Sequence, residues 1–326
     1  MSRTFSIAVV SDIHYAAAEE RARCANSQFW RKIQNPAVRI IGRAYHGFIW
    51  LRDRGAHNDL LDAFLANAGR HDLVVANGDF SCNTGHIGAG DPAAFASAEE
   101  CLGKLRARFG PDFRATIGDH ELGKSDLFSG RGTMSLESWR RVTEGLGIEP
   151  FWRVQFGKYI LLGITSSLVA LPIYKPDTRD ADAPEWERLR QKQLDNIRAA
   201  FDGLRRDERV ILFCHDPSAL PFLWREATVR ERICHVEQTI VGHLHTNLIL
   251  QVGQALSGLP IISFLGKGAM RISSGVSEAK LWKPFHVRLC PALTGIQLLK
   301  DGGWLSAELD ADAKTPAHFE FHPIKW

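Results

Sequence analysis

The sequence predicts an α/β fold, and two observations carry that expectation. Five short apolar, β-branched runs, bounded by Gly, Asp or His, read as buried strands, and between them lie stretches with apolar residues at helical spacing. A third observation places the function. Each of the five strands runs into a metal-liking side chain, and ligands collect where the strands of such a sheet end.

The elements follow in chain order. Phe5-Ser-Ile-Ala-Val-Val-Ser11 leads into Asp12-Ile-His14. The next strand, Leu73 to Ala76, leads through Asn77-Gly78 into Asp79, which is 67 positions after Asp12, although a strand-helix-strand unit takes roughly 30 residues. A helix from Asp59 to Ala68 supplies the ordinary crossover, which leaves residues 16–57 as an insertion. After Pro36, residues Ala37, Ile40, Ile41, Ala44, Phe48 and Leu51 follow helical spacing, while Arg39, Arg43 and His46 share another face.

This is a basic amphipathic segment with Trp30 and Trp50 beside it. Contact with an anionic membrane or a lipid substrate through Trp30, Arg39, Arg43 and Trp50 is one expectation. The other is a helix that packs its apolar face on the domain and leaves the basic face in water. Gly42 and Gly47 weaken it as an isolated helix.

Further along, Phe113 to Ile117 leads into Gly118-Asp119-His120, Val210 to Phe213 into Cys214-His215, and Thr239 to Val241 into Gly242-His243-Leu244-His245. The stretch Ala183 to Leu204 carries Trp186, Leu189, Leu194, Ile197, Phe201 and Leu204 at core spacing and reads as a structural helix. Pro221 to Arg230 reads as the crossover helix before the last motif, with a wall of the cleft as the alternative. Gly85-His-Ile-Gly-Ala-Gly90 lacks the Lys-Ser/Thr of a phosphate loop and reads as a flexible connection. Pro260 to Phe264, Gly295 to Leu299 and Trp304 to Leu309 read as strands of a second sheet.

The residue types point to a catalytic metal pair. Imidazole nitrogen with carboxylate oxygen suits Mn²⁺, Fe and Zn²⁺, whereas an all-oxygen set suits Mg²⁺ or Ca²⁺ and thiolates favour structural Zn²⁺. A bridging ligand has to offer two oxygens, and Asp79 is the best placed. Taken singly, a buried His is more often a packing residue and an Asp after a strand a cap or turn former. Five such segments in series reverse that reading. His46, His57, His71, His86, His235, His286, His318 and His322 are left as surface or packing residues.

The series resembles the calcineurin-like metallophosphoesterases. The family's order of Asp-x-His, Gly-Asp, Gly-Asn-His-Glu, Gly/Cys-His-x-Pro and Gly-His-x-His stands here as Asp12-Ile-His14, Gly78-Asp79, Gly118-Asp119-His120-Glu121, Cys214-His215-Asp216-Pro217 and Gly242-His243-Leu244-His245. The resemblance implies a four-layer αββα sandwich of two mixed sheets. It also implies one metal held by Asp12, His14 and His245, a second by Asp119, His215 and His243, and Asp79 between them. A water held between two divalent ions, Mn²⁺ foremost, would attack phosphorus while His120 protonates the leaving oxygen.

Two departures matter. Asp119 stands where the family usually has Asn, adding a negative charge expected to tighten the second metal and slightly repel an anionic phosphate. The run Gly78-Asp79-Phe80-Ser81-Cys82-Asn83-Thr84 lacks the Asp-Arg of the protein Ser/Thr phosphatases, which argues against that activity and leaves His120 in need of another partner.

Composition sets the remaining bounds. The ligand positions span residues 12 to 245 of 326 and must converge, so one domain over 1–326 is expected. A net charge of +3 is too small to imply nucleic acid, and no motif for it is present. Nine Trp and 18 Phe are enough to serve recognition surfaces as well as the core. Six Cys without paired spacing, no leader segment and no apolar run near ~20 residues place the chain in the cytoplasm, with peripheral membrane contact as the further expectation.

The expected activity is hydrolysis of a phosphodiester, pyrophosphate or phosphomonoester. The insertion tilts the substrate toward a lipid-linked nucleotide, such as the UDP-diacylglucosamine that some members of the family cleave. A soluble cyclic or general nucleotide is the alternative, and a catalytically silent scaffold is disfavoured because every ligand position is filled.

Overall fold

The computed structural model describes residues 3–25, 33, 35–126, 132–261 and 267–324. Trp30 lies outside them, as do three of the five residues of the expected strand Pro260 to Phe264. In chain order the strands are β1 Thr4–Val10, β2 Leu73–Asn77, β3 Phe113–Thr116, β4 Phe151–Phe156, β5 Tyr159–Ile164, β6 Arg209–Cys214, β7 Val236–Val241, β8 Val287–Leu289, β9 Gly303–Asp310 and β10 His318–Pro323.

They form two five-stranded sheets, ordered β10-β9-β1-β2-β3 and β4-β5-β6-β7-β8. In the first, β1, β2 and β3 run parallel, with Val9 beside Val75 and Val75 beside Arg114, and β9 and β10 are antiparallel. In the second, β4 and β5 pair antiparallel while β5 to β8 run parallel.

The inner strands β1, β2, β5 and β6 are buried on both faces, which is why they read as nearly unbroken apolar runs. Alternate residues nevertheless have different neighbours. Ile7, Val9 and Val75 pack against Tyr159, Leu161, Ile211 and Phe213 between the sheets. Ala8, Val10, Val74 and Ala76 join Leu60, Leu61, Phe64, Leu102 and Leu105 in the other core cluster, under the helices Asn58–Asn67 and Pro92–Phe109. The same division in β5 and β6 sets Ile160, Leu162, Val210 and Leu212 with Trp186, Leu194, Ile197 and Phe201 of the helix Ala183–Asp202. The layers are helix, sheet, sheet, helix, as expected.

Several expectations are corrected. Trp304 to Leu309 is β9 and pairs with β1, so it extends the first sheet. Gly295 to Leu299 forms no strand; the segment clamps the insertion, with Gln297 N–H donating to Trp50 O at 2.6 Å and Leu298 N–H to Ile49 O at 3.1 Å. Gly88 and Ala89 are buried in a short turn, so the glycine-rich run is packed, contrary to a flexible connection. Pro221 to Arg230 forms two short helices with Leu220, Pro221 and Leu223 buried, as the plainer reading had it.

The insertion helix Pro36–Phe48 is turned the other way round from the expectation that it packs its apolar face on the domain. Asn35 caps it by accepting from Ala37 N–H and Val38 N–H, and Pro36 fits its first turn. Its buried edge is Gly42 and His46. The apolar stripe faces outward, leaving Ile40 67%, Ile41 63% and Phe48 76% exposed. Arg39 is half-buried and Arg43 exposed. The small Gly42 and the polar pair of His46 with Arg54, whose Nη2 lies 2.8 Å from His46 Nε2, form the inner contact instead.

Candidate metal centre

All five motifs sit at the C-terminal ends of parallel strands, three from the first sheet and two from the second. Asp12 and His14 follow β1, Asp79 follows β2, and Asp119 and His120 follow β3; His215 follows β6, and His243 and His245 follow β7. The chain bends sharply there. Asp12, His14, Asp79, His243 and His245 adopt φ of 49°, 51°, 59°, 61° and 62°, the left-handed region that disfavours side-chain-bearing residues.

Each such residue costs on the order of 1–3 kcal/mol and persists only where its surroundings enforce it. Here Asp12 N–H donates to Gly78 O at 3.1 Å, His14 N–H to Asp79 O at 3.0 Å, and His243 N–H to the Asp12 carboxylate at 3.0 Å. Two motif glycines keep the loops this close. A Cβ on Gly118 would lie 2.2 Å from Asp79 Oδ1, and one on Gly242 2.0 Å from Ser11 Oγ.

The ligand-type atoms form two neighbouring groups, Asp12, His14 and His245, and Asp79, Asp119, His215 and His243. In the first, His245 Nε2 lies 3.2 Å from His14 Nε2 and 3.4 Å from Asp12 Oδ1. In the second, His215 Nε2 lies 3.2 Å from Asp79 Oδ2 and 3.7 Å from Asp119 Oδ1, and His243 Nδ1 is 3.3 Å from Asp119 Oδ2. Asp79 also groups with His14 and His120, which puts it between the two sets.

Backbone carbonyls fix two of the rings. His215 Nδ1 is 2.6 Å from Asn77 O and His14 Nδ1 is 3.2 Å from Ser81 O, so each donates there and turns Nε2 inward. Asp79 Oδ2, His215 Nε2 and His243 Nδ1 are buried with no hydrogen-bond partner among the described residues. Such orphaned atoms are costly in a dry interior, and they are the ones a cation would take. With three buried carboxylates and four imidazoles converging, this donor set fits two divalent transition metals.

The charges respond to that crowding. Burial works to raise the Asp79 and Asp119 carboxyls, yet the side chains beside them hold both well below the usual carboxylate range: His120 and His215 at Asp79, His243 and Lys124 at Asp119. Burial would lower His215, but Asp79 and Asp12 hold it well above the ordinary imidazole value. In the protein alone, that proton supplies cationic charge between the carboxylates, and metal binding would release it.

Lys124, Tyr174 and Glu121 complete the site and were not singled out from the sequence. Lys124 Nζ is 2.9 Å from Asp119 Oδ1, and Tyr174 Oη donates to Asp216 Oδ2 at 2.5 Å with Asp119 Oδ2 at 3.2 Å. Glu121 accepts from the N–H groups of Gly118, Asp79 and Phe80 at 2.9, 3.0 and 2.8 Å, tying the second and third loops together. A Lys five positions after Asp119 and a Glu inside the Gly-Asp-His-Glu motif were the available signals.

His120 stands beside the cluster, its Nε2 3.8 Å from Asp79 Oδ2 and its ring edge-on to His14. Burial holds it well below its ordinary value, against Asp79, so the imidazole is neutral at neutral pH. The expected second partner is not found: His120 Nδ1 has none among the described residues.

A groove of about 390 Å³ opens on the imidazoles of His14, His120, His243 and His245. Tyr45, Trp50 and Leu51 of the insertion wall one side; Ile249, Val252, Leu256, Ile272, Val276 and Trp282 supply further apolar lining. Trp50 lies against His245, with ring centroids 4.4 Å apart and the planes tilted by 43°. Of the expected insertion contacts, Trp50 is therefore at the site, whereas Arg39 and Arg43 do not line the groove. His46, left as a surface or packing residue, packs against Arg54 and also lines the groove.

Comparison with known proteins bears on this arrangement. The sequence profile of the calcineurin-like phosphoesterases matches residues 5–247. Among solved structures, a dimetal phosphatase from Danio rerio superposes with a TM-score of 0.52 at 16% identity, covering 97% of this chain and 95% of that one. A purple acid phosphatase from yellow lupin (Lupinus luteus) has a TM-score of 0.45 at 12% identity, covering 99% of this chain and 52% of that one. No curated protein matches the sequence.

Proposed function

Given that the chain belongs to the calcineurin-like phosphoesterase family and so is a metal-dependent phosphoester hydrolase, we propose that its substrate is an amphiphile, a lipid-linked nucleotide joined through a phosphodiester or pyrophosphate. The observation that carries this reading is the groove. It leads away from the Asp/His cluster with walls that are mostly apolar, and its volume lies in the range of ordinary ligand sites.

Asp12, His14 and His245 would hold one divalent ion and Asp119, His215 and His243 another, with Asp79 between them. Mn²⁺ is the metal we favour over Fe or Zn²⁺. Two such ions, when bound, supply an activated water and neutralise charge building on the phosphoryl oxygens.

The protein's own residues do the rest. Asn77 O and Ser81 O hold the His215 and His14 rings in one orientation. His120 is the proton donor to the leaving oxygen in this reading. Because burial keeps it neutral in the protein alone, its proton is taken up as the anionic phosphate arrives beside it. Trp50 and the apolar walls hold the substrate's tail and exclude water from the reacting end.

Hydrolysis of a UDP-diacylglucosamine, cAMP and bis-p-nitrophenyl phosphate, measured side by side with Mn²⁺, tests this. Preference for the detergent-dispersed lipid supports the amphiphile. Equal or better turnover of cAMP favours a soluble nucleotide phosphodiesterase, and no turnover of any of the three with no bound metal points to a silent scaffold.

A further inference from the structure

Folding ordinarily hides the apolar stripe of a helix, because each large side chain taken from water is stabilising. The insertion helix leaves its stripe outward. Its exposed Ile40, Ile41 and Phe48 run on to Ile49, which is hydrogen-bonded through its carbonyl to exposed Leu298. Bulky apolar residues from two distant parts of the chain thus share one surface. Scattered single apolar residues need no explanation, but a cluster does.

The charges around the cluster say what covers it. Arg39 and Arg43 rise from the same helix, and the helix carries no Asp or Glu. An apolar face with exposed Arg43 at its border and no acidic residue on its helix complements an anionic lipid surface, whose acyl region takes the apolar side chains while the phosphates meet the guanidinium group. A second copy of the chain is the poorer occupant, since a two-fold contact would bring this basic helix against itself.

The geometry points to peripheral docking on an anionic bilayer: we propose that the outward face of Pro36–Phe48, with Ile49 and Leu298, is the membrane-contact surface of this protein. No helix among the described residues is long and apolar enough to cross a membrane, so the contact is one of a surface. The same helix contributes Tyr45 to the groove, whose lining also includes half-exposed Val252, Leu256 and Ile272. Docking would therefore set the groove mouth at the lipid, and that orientation, though not the docking itself, rests on the amphiphilic-substrate reading.

Co-sedimentation of the full chain with vesicles tests the proposal, using phosphatidylcholine alone and phosphatidylcholine with an equal part of phosphatidylglycerol. The chain is expected to pellet with the anionic vesicles, to be released by salt, and to bind the neutral ones far less. Ile41→Glu with Phe48→Glu should weaken anionic binding about tenfold or more. Arg39→Gln with Arg43→Gln should remove the preference for anionic lipid.

Neither pair touches the metal cluster or the groove, so hydrolysis of bis-p-nitrophenyl phosphate should be unchanged in both, which also reports that they fold. Absence of vesicle binding, equal binding to both compositions, or a dimer in light scattering that Ile41→Glu with Phe48→Glu dissociates would each overturn the proposal. Binding is read without turnover, so it stands or falls separately from the substrate assignment.

Discussion

Lys124 Nζ stands 2.9 Å from Asp119 Oδ1, so the carboxylate that replaces the family's usual Asn carries its own counter-charge. Asp119 is fully buried, and the Lys124 ammonium has its pKa raised: burial opposes this, but Asp119 and Asp79 prevail. The added charge expected to repel phosphate is largely neutralised within the protein. Asp119 and Lys124 act as one unit.

Substituting either member alone therefore leaves a buried charge without its partner, which costs about 3–5 kcal/mol. Asp119→Asn and Lys124→Met should each destabilise the metal-free protein in urea, and the double variant should lose less than the two combined. A coupling of about 1–3 kcal/mol is expected in the cycle. Strict additivity would mean that the pair does not interact as its geometry implies.

His120→Gln should lower kcat by about 10²–10⁴-fold on substrates with a poor leaving group. The loss should shrink for p-nitrophenyl esters, whose leaving oxygen needs no proton. Metal content, measured by mass spectrometry, should stay at the wild-type level because His120 is outside both ligand sets. Equal losses on both leaving groups would remove it as proton donor.

The groove should govern the lipid substrate alone. Val252→Asp or Leu256→Asp places a carboxylate against an apolar tail and forfeits burial worth about 1.5–3 kcal/mol, so kcat/KM for the lipid should fall about tenfold or more. Turnover of bis-p-nitrophenyl phosphate should hold. Parallel losses on both would make the effect structural.

Acid should loosen the insertion before it reaches the core. Burial, reinforced by the Arg54 cation, lowers His46 to about 3, against an ordinary imidazole value of 6.5. Above the ordinary value neither state is protonated and the full stability is present. As pH falls from there toward the folded value, the unfolded chain binds a proton that the folded one does not, and stability drops by at most about 1.4 kcal/mol per pH unit from this group. Urea midpoints followed against pH should fall less steeply in His46→Gln; identical slopes would show that His46 contributes nothing to the acid limb.

The metal cluster was legible because its chemistry is local to each strand end. A strand buried on both faces must be apolar throughout, so the first Asp or His after it stands out, and the five tight loops put those residues where the strands converge. The β4–β5 hairpin is written in the sequence as an alternating segment, Phe151 to Phe156, and an apolar run, Tyr159 to Ile164, around Gly157-Lys158.

Helical periodicity gave the stripe of Pro36–Phe48 but not its direction, because a period names two faces without saying which meets the protein. That choice was made by Gly42, His46 and the distant Arg54, and by Gln297, whose Nε2 donates to Gly47 O at 2.9 Å. Lys124 was hidden for a similar reason. Its partner Asp119 is nearby in sequence, but only the turn at Gly123, with φ of 95°, brings the ammonium back to the carboxylate.

Anomalous diffraction from crystals grown with Mn²⁺, recorded on both sides of the metal edge, tests the central claim most directly. Two peaks are predicted, one among Asp12, His14 and His245 and one among Asp119, His215 and His243, with the Asp79 carboxylate between them. A single peak, or none at the cluster while the protein hydrolyses phosphoesters, would contradict the account.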